Sequence, residues 1–424
     1  MTLNEALSDY VSRPDPALQW SVVSDIAQEV SAAQSGVTRV DLNLVSQVWH
    51  GAEWRHRLTL FVPETPQCLK TCLLTVMADG PCTPLIEEIG RDYASTTGRI
   101  AAFLFDVPNQ PLFGGLTEDA LIVHTLLEHL ETGDPECILL LPMVKSAAAA
   151  MTAIDQYSAT LPGRSKDEME FVVSGASKRG WTTWLIGAVD SRVIAIAPVV
   201  FDNLNVFEQI PHQLEVFQGY SEQISDYSNA GLTEGLNTPE GYALARIIDP
   251  YTYVERISIP KLIINGANDQ YWATDAINLY WGGLDGPKTV LHVPNQSHYI
   301  QDAKRFRSAI KEFFNASISG TFLPTLEPKF SETASTCRFE LQDMPGLRRA
   351  SVWVAISESR DFRNSKWQQM EMTKEGLDQF SGTVRKRRAL TKAAIVEAEF
   401  DGEYGPYWIS APVQIIGKRN EEAA

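Results

Sequence analysis

Short apolar runs alternate with longer amphipathic stretches over the first three quarters of the chain. VTRVDLNLVSQVW (37–49) and EWRHRLTLFVP (53–63) alternate with a period near two and predict antiparallel strands. TCLLTVM (71–77) and IAAFLF (100–105) are continuous apolar runs, as strands covered on both faces require. Helical patterns come between and after them. TEDALIVHTLLEHLE (117–131) opens on Thr117 and the acidic pair Glu118–Asp119, and LLLPMVKSAAAAMTAIDQY (139–157) is alanine-rich and periodic. The order then repeats: a strand at 171–174, a helix from about 178, and strands VIAIAPVV (193–200), PKLIING (260–266) and TVLHVP (289–294). AKRFRSAIKEFF (303–314) predicts a helix with Phe306, Ile310, Phe313 and Phe314 on one face. Strand–helix alternation of this kind predicts an α/β fold, a mostly parallel sheet covered by helices.

Three regions depart from that pattern. Residues 1–35 are polar and helical in character, punctuated by Pro14 and Pro16. Residues 203–258 interrupt the alternation and predict a cap or lid, because an excursion this long between two strands is seldom a simple loop. After TFLPTLEPKF, a proline-punctuated linker, CRFELQ, ASVWVAISES, QFSGTVRK, AAIVEAEF and YWISAPVQIIG recur with a period near two. They predict an antiparallel β-sandwich of about 95 residues. The expected organisation is an α/β domain over 1–319, with an N-terminal extension and the cap-like insertion, and an immunoglobulin- or fibronectin-like sandwich over 320–424. The last residues, KRNEEAA, read as a frayed tail.

The chain has 424 residues and a formal charge of −17. That balance argues against nucleic acid and anionic membranes as partners, since both are polyanions. No apolar run reaches the ~18 residues of a membrane span. The start, MTLNEALSDYVSRPDP, shows no basic n-region and no apolar h-region, which predicts a cytoplasmic chain as written; a chain trimmed of its leader, secreted or periplasmic, would read the same way. The five cysteines form no CxxC pair and do not cluster with histidine, so they read as free thiols and no metal site is expected.

The chemistry centres on FVVSGASKRGWTTW (171–184). An apolar strand runs into a Gly/Ala turn that presents Ser177, and a helix-compatible segment follows. A sharp strand-to-helix turn pushes a serine out of the carboxyl edge of a sheet and aims the next backbone N–H at the same point. The usual G-x-S-x-G spacing is altered: Gly175 precedes Ser177 by two, position 179 is arginine, and the glycine falls at 180. Acid and histidine should then follow in that order. Asp269 lies just past strand PKLIING, at the carboxyl edge. Asp275 competes but reads as a first-turn residue of the next helix. His298, in the polar loop PNQSHYI, is the candidate base, whereas His292 sits inside a strand. Asp202 and Asn203 occupy another possible acid or pocket-lining position. The oxyanion donors should be the N–H of Lys178 and that of Ala78 or Asp79 in the loop ADGP. The Lys178 cation could equally face the oxyanion or solvent. Asn109, Gln110, Tyr271 and Trp272 sit on edge loops and are candidates for substrate contact; Trp181 and Trp184 read as core.

SGASKRGWT, AIAPVVFDNLN, INGANDQYW and VPNQSHY, together with LSDYVSRPDPALQW, FDVPNQPLFGGLTEDALI and ESRDFRNSKW, resemble the PhoPQ-activated pathogenicity-related protein family, a branch of the α/β-hydrolases. The resemblance implies an α/β-hydrolase core, a C-terminal β-sandwich, and Ser177, Asp269 and His298 as a triad. Family members usually carry export signals. The basic residue after the serine is also similar to the elbow of glucuronoyl esterases, a hint toward esters of sugars. The reading is a serine hydrolase acting on a small ester or amide without metal or organic cofactor. An aminopeptidase, with Glu208 and Glu215 as candidate amine-binding carboxylates, and a non-catalytic signalling or binding protein are the rivals.

Overall fold

The computed structural model describes residues 5–23, 36–164, 167–376, 378–387 and 390–417. The KRNEEAA tail falls outside them. Two compact units emerge: 1–201 with 226–260 and 317–320, and 202–225 with 261–316 and 321–424.

The first unit opens with α1 (Ala6–Ser12), β1 (Gln19–Val22), β2 (Val37–Trp49), β3 (Ala52–Pro63), β4 (Thr71–Val76), α2 (Pro84–Thr97) and β5 (Ile100–Leu104). It continues with α3 (Glu118–Thr132), α4 (Leu140–Ser158), β6 (Glu170–Ala176), α5 (Lys178–Val189) and β7 (Val193–Val199). Its strands run in the order β1-β2-β3-β5-β4-β6-β7. The first three join antiparallel, and β5, β4, β6 and β7 run parallel. The parallel strands are the continuous apolar runs, and β5 is buried at every position. Gln19–Val22 is a strand where the sequence suggested helix. It pairs in register with Leu42–Val45 at the rim of the sheet, and its mostly exposed side chains leave no apolar period to read.

The excursion is helical: α6 (Val206–Phe217), α7 (Ser225–Asn229), α8 (Leu232–Gly235) and α9 (Pro239–Ile248). The second unit contains α6 and then β8 (Lys261–Gly266), β9 (Lys288–Val293), α10 (Ala303–Ile318) up to Ala316, β10 (Lys329–Glu332), β11 (Thr336–Gln342), β12 (Leu347–Ser357) and β13 (Gln368–Glu371). It ends with β14 (Thr373–Glu375), β15 (Gln379–Arg385), β16 (Thr391–Gly402), β17 (Gly405–Ser410) and β18 (Gln414–Ile416). On α10, Ile310, Phe313 and Phe314 are buried as expected, and Phe306 is half-buried.

The C-terminal strands form two antiparallel sheets. One is β10-β11-β15-β14; the other contains β17, β16, β12 and β13, with β18 beside β16. They pack face to face at Gly382, where an added Cβ would lie 3.2 Å from Val352 Cγ2. The second sheet also continues into β9 through the pairing of Ser410 with Val290. The C-terminal strands therefore share a compact unit with β8 and β9. Period-two patterning gives each strand but not its neighbour, so this join is invisible in the sequence.

His56 and His292 are buried in β3 and β9, and burial pushes both down to about 4. Each binds its proton at an ordinary 6.5 in the unfolded chain and only near 4 in the folded one. Their neutral burial is therefore fully tolerated above pH 6.5, and stability falls as pH drops from there toward 4. Urea midpoints measured across this range should decline, and His292→Leu should reduce the slope.

Candidate active site

Ser177 stands between β6 and α5 with φ 58° and ψ −123°, a conformation that costs a non-glycine residue about 1–3 kcal/mol. Two backbone bonds hold it there: Ser177 N–H donates to Val199 O at 2.8 Å, and Ser177 O accepts from Trp181 N–H at 3.0 Å. The flanking glycines are steric necessities. A Cβ on Gly175 would lie 2.6 Å from Arg179 O, and one on Gly180 would lie 2.9 Å from Val199 O. The altered spacing is thereby explained: the close approach of α5 to β7 falls at position 180, and position 179 is left for a long side chain.

That side chain is structural. Arg179 is buried, donates from Nε to Val107 O at 2.5 Å, and forks onto Glu118 at 2.9 and 2.6 Å. Lys178 Nζ sits 2.8 Å from Asp119 Oδ2 and 3.3 Å from Glu118 Oε2. Its cation is thus neutralised by the first turn of α3. Tyr227 donates to the other Asp119 oxygen at 2.9 Å. Burial works to raise the Glu118 carboxyl, but the Arg179 fork and Lys178 outweigh it and bring the group to about 2. Gln110 belongs to the same network. Its amide donates to Asp79 Oδ2 at 3.0 Å and Glu118 Oε1 at 2.8 Å, and its oxygen accepts from Glu118 N–H at 2.8 Å. Asn109 brackets the Arg55 backbone, accepting from N–H and donating to O at 3.2 Å each. Both amides are committed to holding loops, which gives these two proposed substrate contacts structural work. Ala78 O accepts from Asp106 N–H at 3.2 Å, fixing the ADGP loop beside β5.

In the second unit, His298 Nδ1 lies 2.8 Å from Asp269 Oδ2. The other carboxylate oxygen, Oδ1, accepts from Tyr271 N–H at 2.8 Å. The Tyr271 ring lies over the imidazole, centroids 4.2 Å apart and tilted by 34°. Trp272 is buried, whereas Tyr299 is 79% exposed. The histidine loop closes onto the end of β8 at Gly266, where an added Cβ would sit 2.1 Å from Ser297 O.

The competing acids have other partners. Asp275 accepts from Arg360 at 2.6 Å and pairs with His212 Nε2 at 2.9 Å. Asp202 is buried, accepts from the Tyr280 hydroxyl, and is pushed up to about 7 by burial, with the Asp269 charge adding to the effect. Trp181 and Trp184 are buried, and Trp181 donates to Ile248 O at 2.5 Å. Sequence reasoning missed the roles of Glu118 and Asp119, read there only as a helix start. Two adjacent cations at a buried elbow were the available signal, because buried charges need partners. It also passed over Asn268 and Asn295, whose loops carry the acid and the histidine.

The chain matches the sequence profile of the PhoPQ-activated pathogenicity-related protein family over residues 7–363. It belongs to that family. Among curated proteins, it is 28% identical to autocrine proliferation repressor protein A of Dictyostelium discoideum, across 93% of this chain and 85% of that one. Among solved structures it is similar to acetyl xylan esterase 1 from Thermoanaerobacterium sp. JW/SL YS485, with a TM-score of 0.51 and 15% identity over 74% of this chain and 93% of the other. It also matches a glucuronoyl esterase from Solibacter usitatus, with a TM-score of 0.44 and 14% identity over 74% and 91% of the two chains. The fold of this family member is accordingly that of the α/β-hydrolases. No helix among the described residues is long and apolar enough to cross a membrane.

Two outcomes follow from this geometry. Gly266→Ala should force the histidine loop off β8, lowering the melting temperature and speeding amide exchange in peptides that cover 295–301. Glu118 contributes stability that is complete above its ordinary value of 4.5 and is lost as pH falls toward about 2. Glu118→Gln should therefore lower the thermal midpoint at pH 7 and narrow its gap to wild type as pH falls through that window.

Proposed function

We propose that this protein is a serine hydrolase that cleaves a carboxylic ester through Ser177, His298 and Asp269. The observation that carries the reading is the 2.8 Å contact between His298 Nδ1 and Asp269 Oδ2, in a chain whose elbow serine precedes both. With its Nδ1 proton donated to the carboxylate, a neutral imidazole carries its lone pair on Nε2, the form able to take a proton. Ser177 Oγ attacks the ester carbonyl while its proton passes to His298 Nε2. The imidazolium, stabilised by Asp269, returns that proton to the leaving alkoxide, and an acyl-enzyme remains. Water, activated by the same imidazole, then releases the acid and restores the serine. The N–H of Lys178, with that of Ala78 or Asp79, supplies the oxyanion donors, each worth roughly 10²–10³ in rate.

The ion pairs of Lys178 and Arg179 argue against these cations as receptors for a substrate carboxylate. Glu215, a candidate amine receptor, is ion-paired with Arg360, which favours an ester over an aminopeptidase substrate. Tyr271 and Tyr299 flank His298 with aromatic surface, and a carbohydrate-linked ester is the first class to test, in keeping with the name of the Thermoanaerobacterium fold neighbour. Trp272, being buried, shapes the loop that carries Tyr271.

A second reading, a signalling protein that retains the fold, is favoured by the name of the Dictyostelium relative. Fluorophosphonate labelling separates the two. Wild type should label at Ser177, and Ser177→Ala and His298→Ala should not. Turnover of p-nitrophenyl acetate or acetylated xylo-oligosaccharides should fall roughly 10⁴- to 10⁶-fold in Ser177→Ala. A wild type that neither labels nor turns over esters, aminoacyl anilides or methyl uronates would overturn the hydrolase reading.

A further inference from the structure

The segment ESRDFRNSKW (358–367) stood out in the sequence, yet none of its side chains enters the proposed chemistry. It connects β12 to β13, and its backbone reaches both loops that carry the acid and the base. Asn268, the residue before Asp269, donates from Nδ2 to Phe362 O at 3.1 Å, Arg363 O at 3.2 Å and Ser365 O at 2.7 Å. Asn295, three residues before His298, donates from Nδ2 to Trp367 O at 3.1 Å and accepts from Trp367 N–H at 2.8 Å. The two loops are also tied to each other, since Asn268 N–H donates to Gln296 O at 2.9 Å.

We propose that residues 362–367 form a positioning clamp that holds the Asp269 loop and the His298 loop in register, through Asn268 and Asn295. The clamp is rigid because its ends are pegged in the core. Phe362 and Trp367 are each 1% exposed and pack in one cluster with Ala267, Ala355, Ile395 and Val413. Two anchored aromatics fix the backbone between them, and that backbone presents carbonyls and an N–H to the two asparagines. Ala267, in the same cluster, is two residues from Asp269, so the acid loop is gripped by packing as well as by hydrogen bonds. Asn295 also suits its own turn: its φ is 59°, a left-handed conformation that asparagine tolerates well. The C-terminal strands thereby acquire a role at the chemical centre without touching substrate. Misplacing a general base by about 1 Å can cost ~10²-fold in rate, so such a clamp bears on kcat.

This inference rests on the proposed roles of Asp269 and His298, and the test separates the two. Asn295→Gly keeps the backbone conformation and removes both clamp bonds. Asn295→Asp keeps the acceptor for Trp367 N–H and loses the donor. Asn295→Gly should lower kcat by ~10- to 100-fold with KM within about twofold, and Asn295→Asp should fall between it and wild type. Peptides covering 295–301 should exchange amide hydrogens faster in Asn295→Gly, while the melting temperature moves little. Unchanged kcat in Asn295→Gly overturns the clamp, whether or not exchange rises. If the wild type proves inert, the hydrolase reading fails, and exchange alone decides: equal protection of 295–301 in wild type and Asn295→Gly overturns the clamp. Asn268→Ala is the second variant and should repeat the pattern in peptides covering 266–271.

Discussion

The backbone contact at Gly266 is the constraint on which the His298–Asp269 pair depends. The last residue of β8 lies so close to the carbonyls of Gln296 and Ser297 that no side chain fits between them. Because the approach is backbone against backbone, it leaves the histidine loop little freedom. Ala267 N–H bonds to Val293 O at 3.0 Å and Asn268 N–H to Gln296 O, extending the contact along both loops. A 2.8 Å bond between two side chains on separate loops needs such a foundation, since side-chain rotamer freedom alone would scatter it.

The elbow of Ser177 follows the same logic with different means. Strain at φ 58° is held by Val199 O on one side and by the first turn of α5 on the other. The charge around it is balanced locally. Lys178 and Arg179 bring two cations into a buried setting, and Glu118 and Asp119 meet them at 2.6–3.3 Å. A buried pair gains little net stability over apolar packing, but losing one member leaves an uncompensated charge. The network therefore fixes the α3–α5 geometry more than it stabilises the fold.

Read as linear text, the chain reveals its elements and its chemistry well and its neighbours poorly. Continuous apolar runs gave the parallel strands because burial on both faces leaves no polar position. Gly175, Ser177 and Gly180 marked the elbow because only small residues fit there. Gln19–Val22 escaped notice because an edge strand with exposed side chains carries no periodic signal. Asn109 and Gln110 brace loops as well, a role their sequence positions do not show because the partners, Arg55, Asp79 and Glu118, are chosen by the fold.

The sequence by itself determined the strand–helix alternation, the elbow serine, and the order in which Asp269 and His298 follow it, since these are consequences of local patterning and steric size. The tertiary structure alone decided that Asp275 is taken up by Arg360 and His212, that Arg179 braces α3, and that strands after residue 320 share a unit with β8 and β9. Each of these is a contact between residues far apart in the chain. Hydrogen bonds and ion pairs act over a few ångströms in space, and no residue's identity specifies which distant partner the folded backbone will bring within that reach.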